Sequence, residues 1–166
     1  IGADPKMRTG IHVKNPSHVV GKLVDTALGR IPEFHITGTA YETRDGTAIR
    51  DYIHIWDLAR AHVMALTNLD QVFEKAGNPA EGYLVINLGT GKGVTVRELV
   101  AAFETVFNQE INKQDKPPRP GDVIGAYANA DTALNYLGWK AELSIEQGIA
   151  DALRWAEIRE TILHYD

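Results

Sequence analysis

The apolar positions fall into short runs whose period switches between that of a helix and that of a strand. Val19, Val20, Leu23, Val24, Ala27 and Leu28 recur at helical spacing. Asn15-Pro16 predicts the start of this helix, because proline suits the first helical position, and Gly29 predicts its end. Phe34 to Thr37 reads as a short strand, and Gly38 to Gly46 as a loop of turn formers. Tyr52 to Trp56 alternates and predicts a second strand. Asp57 is expected to cap a helix carrying Leu58, His62, Ala65, Leu66 and Leu69. Tyr83 to Leu88 is a nearly continuous apolar run, the pattern of a strand buried on both faces of a parallel sheet. Thr95 and Glu98 predict a capping box for a helix with Val96, Leu99, Val100, Phe103, Val106 and Phe107 on one side. Residues 108–122 read as a polar loop and Val123 to Ala128 as a strand. Asp131 is expected to cap a short helix ending at Gly138. Ser144 and Gln147 predict a second capping box before the last helix. Helices and strands alternate throughout, which places the chain in the α/β class.

Composition narrows the functional classes. The chain has 166 residues, 44% of them hydrophobic, enough for one core. A net charge of -5 disfavours sequence-independent nucleic-acid binding, which needs excess Lys and Arg to displace counterions. Cysteine is absent, which removes disulfides, a thiolate nucleophile and Cys-based zinc sites, and fits a reducing compartment. No apolar run is long enough to span a bilayer, and no signal peptide is visible. The chain opens Ile1-Gly2-Ala3-Asp4-Pro5 without Met and reads as part of a longer protein.

Several clusters carry candidate chemistry. Gly89-Thr90-Gly91-Lys92-Gly93 lies between a strand signal and a helix signal, where backbone N–H groups can cradle phosphates. The spacing does not match: Val94 stands where a dinucleotide fingerprint needs glycine, and Gly93 where a Walker loop needs Ser or Thr. A tight turn is the favoured reading. Tyr136 and Lys140 have the Tyr-x-x-x-Lys spacing of short-chain dehydrogenases, but Gly138 between them breaks the helix that pairing requires. Arg50, Tyr52, His54 and Trp56 share one face if extended: either guanidinium and ring serve a phosphorylated, base-bearing ligand, or the segment is a half-buried edge strand. Pro117-Pro118-Arg119-Pro120-Gly121-Asp122 stiffens a loop that presents a guanidinium for a diphosphate and a carboxylate for sugar hydroxyls. The histidines lack metal-ligand spacing; His54 and His62 are expected to pack or cap.

Four of these segments together resemble the UDP-glucose 4-epimerase family of extended short-chain dehydrogenases. They are Asp45 to His62 with its Arg50-Asp51-Tyr52-Ile53-His54, Ile86 to Gly93, Arg119 to Asp122, and Leu137-Gly138-Trp139, in the family's order. The family inverts C4 of UDP-galactose and UDP-glucose through an NAD-dependent 4-keto sugar. Its dinucleotide-binding loop and catalytic Tyr-x-x-x-Lys lie in an N-terminal half with no counterpart here. The resemblance implies the C-terminal, substrate-binding portion of a Rossmann-type enzyme, with no catalytic or metal-binding residue of its own. NAD would be bound by the N-terminal half. Residues 1–47 and 92–133 would form a small, discontinuous UDP-sugar domain. Residues 48–91 and 134–166 would pack on the dinucleotide-binding domain, leaving apolar surface where it docks.

By position, Arg50 and Arg119 would hold the diphosphate and Asp122 the ribose. His35, Ile36 and Thr37 would lie beside the uracil, with Tyr52 close to the nucleotide and Val96 near the base. His18 and Val19 would approach the ligand, although the family commonly has Asn where His18 stands. Ala126 matches a bulky Tyr beside the sugar in some members, and its small size would leave room for N-acetylated sugars. The resemblance further implies a cytoplasmic homodimer that binds neither nucleic acid nor membrane. Alternatives are another nucleotide-sugar epimerase, dehydratase or decarboxylase of the superfamily, or a non-catalytic nucleotide-sugar-binding module.

Overall fold

The computed structural model describes residues 1–163; the last three residues of the predicted 134–166 stretch lie outside the described residues. The elements run α1 (Val19–Ala27), β1 (Phe34–Thr37), β2 (Ile49–Arg50), α2 (Ile55–Thr67), α3 (Leu69–Lys75), β3 (Val94–Thr95), α4 (Val96–Phe107), β4 (Lys113–Lys116), a π-helical turn (Ala133–Leu137) and α5 (Ile145–Leu163). β1 pairs in parallel with β4, and β2 pairs antiparallel with β3. Two larger apolar clusters organise these pieces, beside a small third one of Ala3, Met7 and Trp155. The first joins Val20, Leu23 and Val24 of α1 to Phe34 and Ile36 of β1, Leu99, Val100 and Phe103 of α4, and Ile149 and Ala156 of α5. The second gathers Ala61, Val72, Ala133, Leu137 and Trp139, with Leu84, Ile86 and Leu88 packed against it. Among the described residues, no helix is long and apolar enough to cross a membrane.

Both predicted capping boxes form. Thr95 accepts the Glu98 N–H at 3.1 Å, and Glu98 accepts the Thr95 N–H at 2.9 Å. Ser144 and Gln147 exchange the same pair of bonds at 3.2 and 2.8 Å. Gly138 ends the π-helical turn at φ 67°, in the left-handed region where glycine costs least.

Other expectations are corrected. α1 begins at Val19 rather than Pro16, because the His18 ring accepts the Gly21 N–H and so becomes the cap. Tyr52 to Trp56 is not a strand: β2 ends at Arg50, and α2 starts at Ile55 under a cap from His54. That cap displaces Asp57 into the first turn, where its buried carboxylate accepts the Glu142 and Leu143 N–H groups at 2.9 and 2.8 Å. Residues 108–122 hold a strand after all. β4 is Lys-Gln-Asp-Lys and carries no apolar alternation, since only its backbone joins the sheet. Val123 to Ala128 makes one isolated bridge, Gly125 to Ile49, instead of a strand. Asp131 is not a cap: its own N–H is bound by Asn129 at 2.8 Å.

The largest difference is Tyr83 to Leu88. It belongs to no strand, and its exposure alternates: Leu84, Ile86 and Leu88 face the second cluster, while Tyr83 and Val85 are 65% and 69% exposed. The apolar run therefore covers one face within this chain and offers the other to solvent.

His54 gives the fold a pH dependence. Its side chain is fully buried, with Nδ1 accepting the Trp56 N–H at 3.0 Å and Nε2 3.2 Å from Asp151. Burial lowers its pKa below 6.5, against the opposing pull of Asp151. The unfolded chain therefore takes up this proton first as pH falls, and stability is lost below about pH 6.5. Protonated Nδ1 can no longer accept, so the α2 cap is lost with it. Burial also lowers the His18 pKa, with the same sign. The melting temperature should drop between pH 7 and about pH 5.5, and drop less in His54→Asn, which keeps a cap acceptor that does not titrate. Equal slopes would show that His54 is not responsible.

Candidate functional site

The start of α1, β1, β2, the first residue of α4 and the proline-rich loop converge on a cavity of about 670 Å³. Nine residues named from the sequence line it: His18, Val19, His35, Thr37, Arg50, Tyr52, Val96, Arg119 and Asp122. Ile36 does not; strand alternation turns its side chain into the first cluster, where it is 1% exposed. Ala126 does not either, being exposed on the segment beyond Asp122. His54 and Trp56 leave the face proposed for them. His54 caps α2, and the Trp56 ring stacks under the Arg8 guanidinium at 5.6 Å.

Both arginines are held by their surroundings. Arg50 donates from Nη1 to the Ile49 carbonyl at 2.7 Å and from Nη2 to the Val123 carbonyl at 3.3 Å. Asp122 accepts from the Arg119 backbone N–H at 3.1 Å and from Arg119 Nε and Nη2 at 3.3 Å each. These bonds hold the Asp122 carboxyl below the usual carboxylate range. Each guanidinium keeps N–H groups for a ligand, since it has five to give. Lys22, missed in the sequence, adds a third cation against the carboxylates of Glu33 and Asp122. It stands one helical turn after His18 and Val19, so i,i+3 and i,i+4 spacing was the available signal. Burial pushes the Tyr52 hydroxyl pKa up to about 12, so it serves the cavity as a neutral ring and donor. The cavity thus carries an excess of positive charge on a chain that is negative as a whole, together with an aromatic wall.

Tyr52, His18 and Val19 also line a second, largely apolar cavity of about 750 Å³ that reaches Trp56 and Trp155. Of its two arginines, Arg8 is paired with Asp4 and Arg159 donates to the Val13 and Lys14 carbonyls. Among the described residues, no cluster of three or more His, Asp or Glu could hold a metal ion.

The glycine-rich segment is a tight turn. The Thr90 N–H, the donor a phosphate would need, is taken by the Asp51 carboxylate at 3.0 and 3.1 Å. The N-terminus of α4 is closed by its own capping box.

The fold is that of the C-terminal portion of short-chain-dehydrogenase-type enzymes. The family model described as GDP-mannose 4,6 dehydratase matches residues 12–152, and the chain belongs to that family. It is 40% identical over 155 residues to the UDP-glucose 4-epimerase of Bifidobacterium longum, covering 93% of this chain and 41% of that protein. With UDP-glucose 4-epimerase 3 of Oryza sativa it shares 43% identity over 157 residues, 95% of this chain and 39% of the other. The crystal structure of the Bifidobacterium longum enzyme in complex with NAD+ and UDP superposes with a TM-score of 0.84 at 36% identity, covering 98% of this chain and 46% of that one. The Stenotrophomonas maltophila enzyme, bound to NAD and formylated UDP-arabinopyranose, gives 0.85 at 34%, covering 97% and 46%. The chain therefore spans about two fifths of the length of its curated relatives.

NAD is bound in those neighbours. Among the described residues, the two segments whose spacing suggested such a group do not fit it. The glycine-rich segment 89–93 follows no strand, leads into β3 and is filled by Asp51, and the Tyr136–Lys140 pair is split by the left-handed Gly138.

Proposed function

We propose that this chain is the UDP-sugar-binding part of a UDP-glucose 4-epimerase, which interconverts UDP-galactose and UDP-glucose with NAD held elsewhere in the complete protein. The observation that carries this reading is the convergence of Arg50, Arg119 and Asp122 with Tyr52 and Val96 on one cavity. Two guanidinium groups suit a diphosphate, which accepts paired N–H bonds. The Asp122 carboxylate suits ribose hydroxyls, and the floor between Val96 and β1 suits a flat base. The contribution of this chain is binding and orientation. The oxidation and reduction at C4 fall to groups outside it.

The same reading assigns residues 1–47 and 92–133 to sugar-nucleotide binding. Residues 48–91 and 134–166 would pack against a dinucleotide-binding unit. The alternating exposure of residues 83–88 supports the packing role for that segment, since an extended apolar edge suits pairing with a further strand. The preference for N-acetylated sugars rests on Ala126 and the resemblance alone.

An assay of the 166-residue chain with UDP-galactose and added NAD tests the division of labour. No UDP-glucose should form, while UDP-galactose should compete with UDP for the chain. Turnover by the chain alone would contradict the assignment.

A further inference from the structure

Asp51 belongs to none of the roles above, yet it ties together three segments distant in sequence. One carboxylate oxygen accepts the Thr90 N–H at 3.0 Å and the Thr90 hydroxyl at 2.7 Å; the other accepts the Thr90 N–H at 3.1 Å and the Ala128 N–H at 3.2 Å. Thr90 lies 39 residues away and Ala128 77. Gly89 leaves space for this contact, because a Cβ there would run into Asp51 Oδ2 and would stand 2.7 Å from the Ala128 Cβ. The glycine of the apparent phosphate loop therefore seats an internal carboxylate.

The Ala128 bond matters for the cavity. The limb from Arg119 to Ala128 belongs to no strand beside β2. Its other attachments to β2 are the Ile49 N–H to the Ile124 carbonyl at 2.9 Å and Arg50 Nη2 to the Val123 carbonyl at 3.3 Å. These lie on the Arg119 side of Gly125, which presses against the Ile49 backbone. Asp51 fastens the far end. Arg50 and Tyr52 line the cavity, while Asp51 between them does not and grips the limb instead.

We propose that Asp51 is a positioning residue: by holding Thr90 and Ala128 together just beyond the end of β2, it sets the distance of Arg119 and Asp122 from Arg50, and so tunes the cavity for a nucleoside diphosphate. This rests on the nucleotide-binding reading given above. Charge-assisted bonds to a carboxylate are strong enough to fix such a limb, and clamp geometry decides how well two guanidinium groups share one diphosphate.

The test is a calorimetric double-mutant cycle on the 166-residue chain with UDP as the probe. Asp51→Asn, which gives up the ionic acceptor with little change in shape, should weaken UDP about tenfold. In an Arg119→Ala background the same change should cost less than about threefold, because the guanidinium that Asp51 positions is already gone and only Asp122 remains to be placed. Gly89→Ala, which displaces the carboxylate without altering any charge, should show the same pattern. Native-like far-UV circular dichroism in each variant is part of the expected result. A variant that no longer folds would overturn the positioning role, since the contact would then serve the fold. Undiminished UDP affinity in Asp51→Asn, or equal losses in both backgrounds, would overturn it too. A parent chain without affinity for UDP would overturn the nucleotide-binding reading itself, and the role of Asp51 with it.

Discussion

Arg119→Ala is expected to weaken UDP binding about tenfold and UMP binding less. The Arg119 side chain is 69% exposed, so solvent screening keeps the effect toward the lower end for a charge-assisted contact. Its position is nevertheless set. Three bonds to Asp122 fix its backbone and one edge of its guanidinium, and the prolines on either side restrict the loop. The change should leave the melting temperature nearly unaltered, because an exposed i,i+3 pair adds little to stability. Binding and folding are thereby separated in one variant. UDP affinity within about twofold of the parent would remove Arg119 from the site.

Trp139→Ala is expected to cost about 3–5 kcal/mol of folding stability. The ring is 1% exposed at the centre of the second cluster, and its Nε1–H donates to the Asp57 carbonyl at 3.0 Å. Truncation leaves a large cavity among Ala61, Val72, Ala133 and Leu137 and removes the indole bond to α2. A domain of this size has about 5–15 kcal/mol in total, so the loss is a large share. Urea titration followed by circular dichroism should show the midpoint falling accordingly. A loss below about 1 kcal/mol would show that the second cluster is not a folding core.

Helices were legible where local chemistry decides them. Thr95 with Glu98 and Ser144 with Gln147 set two helix starts through bonds spanning three residues, and Gly138 set an end through its backbone freedom. The strands were less legible because sheet pairing is non-local. β4 has no apolar alternation and exists only because β1 lies beside it, while Tyr83 to Leu88 has the composition of a strand and no strand partner among the described residues. The His18 cap was missed, and the capping role expected of His54 was not tied to a helix start: both act through Nδ1 as Ser or Asp would, and this moved the expected starts of α1 and α2.

Within the site, the motifs named the cavity wall well because Arg50, Tyr52, Arg119 and Asp122 combine unusual residue types with stiff or extended backbone. Residues that act through position alone were not legible. Asp51 stands between two cavity residues, and only the folded chain shows that it grips Thr90 and Ala128. Ile36 was named with its neighbours on β1, but the alternation of the strand sends it to the core.

On the proposed reading, the cavity recognises a nucleoside diphosphate. Calorimetric titration of the 166-residue chain with UDP, UMP and uridine tests it most directly. Two guanidinium groups held over one cavity predict affinity in the order UDP, UMP, uridine, with UDP lost steeply as salt rises. Equal affinity for all three, or no binding of UDP, would contradict it.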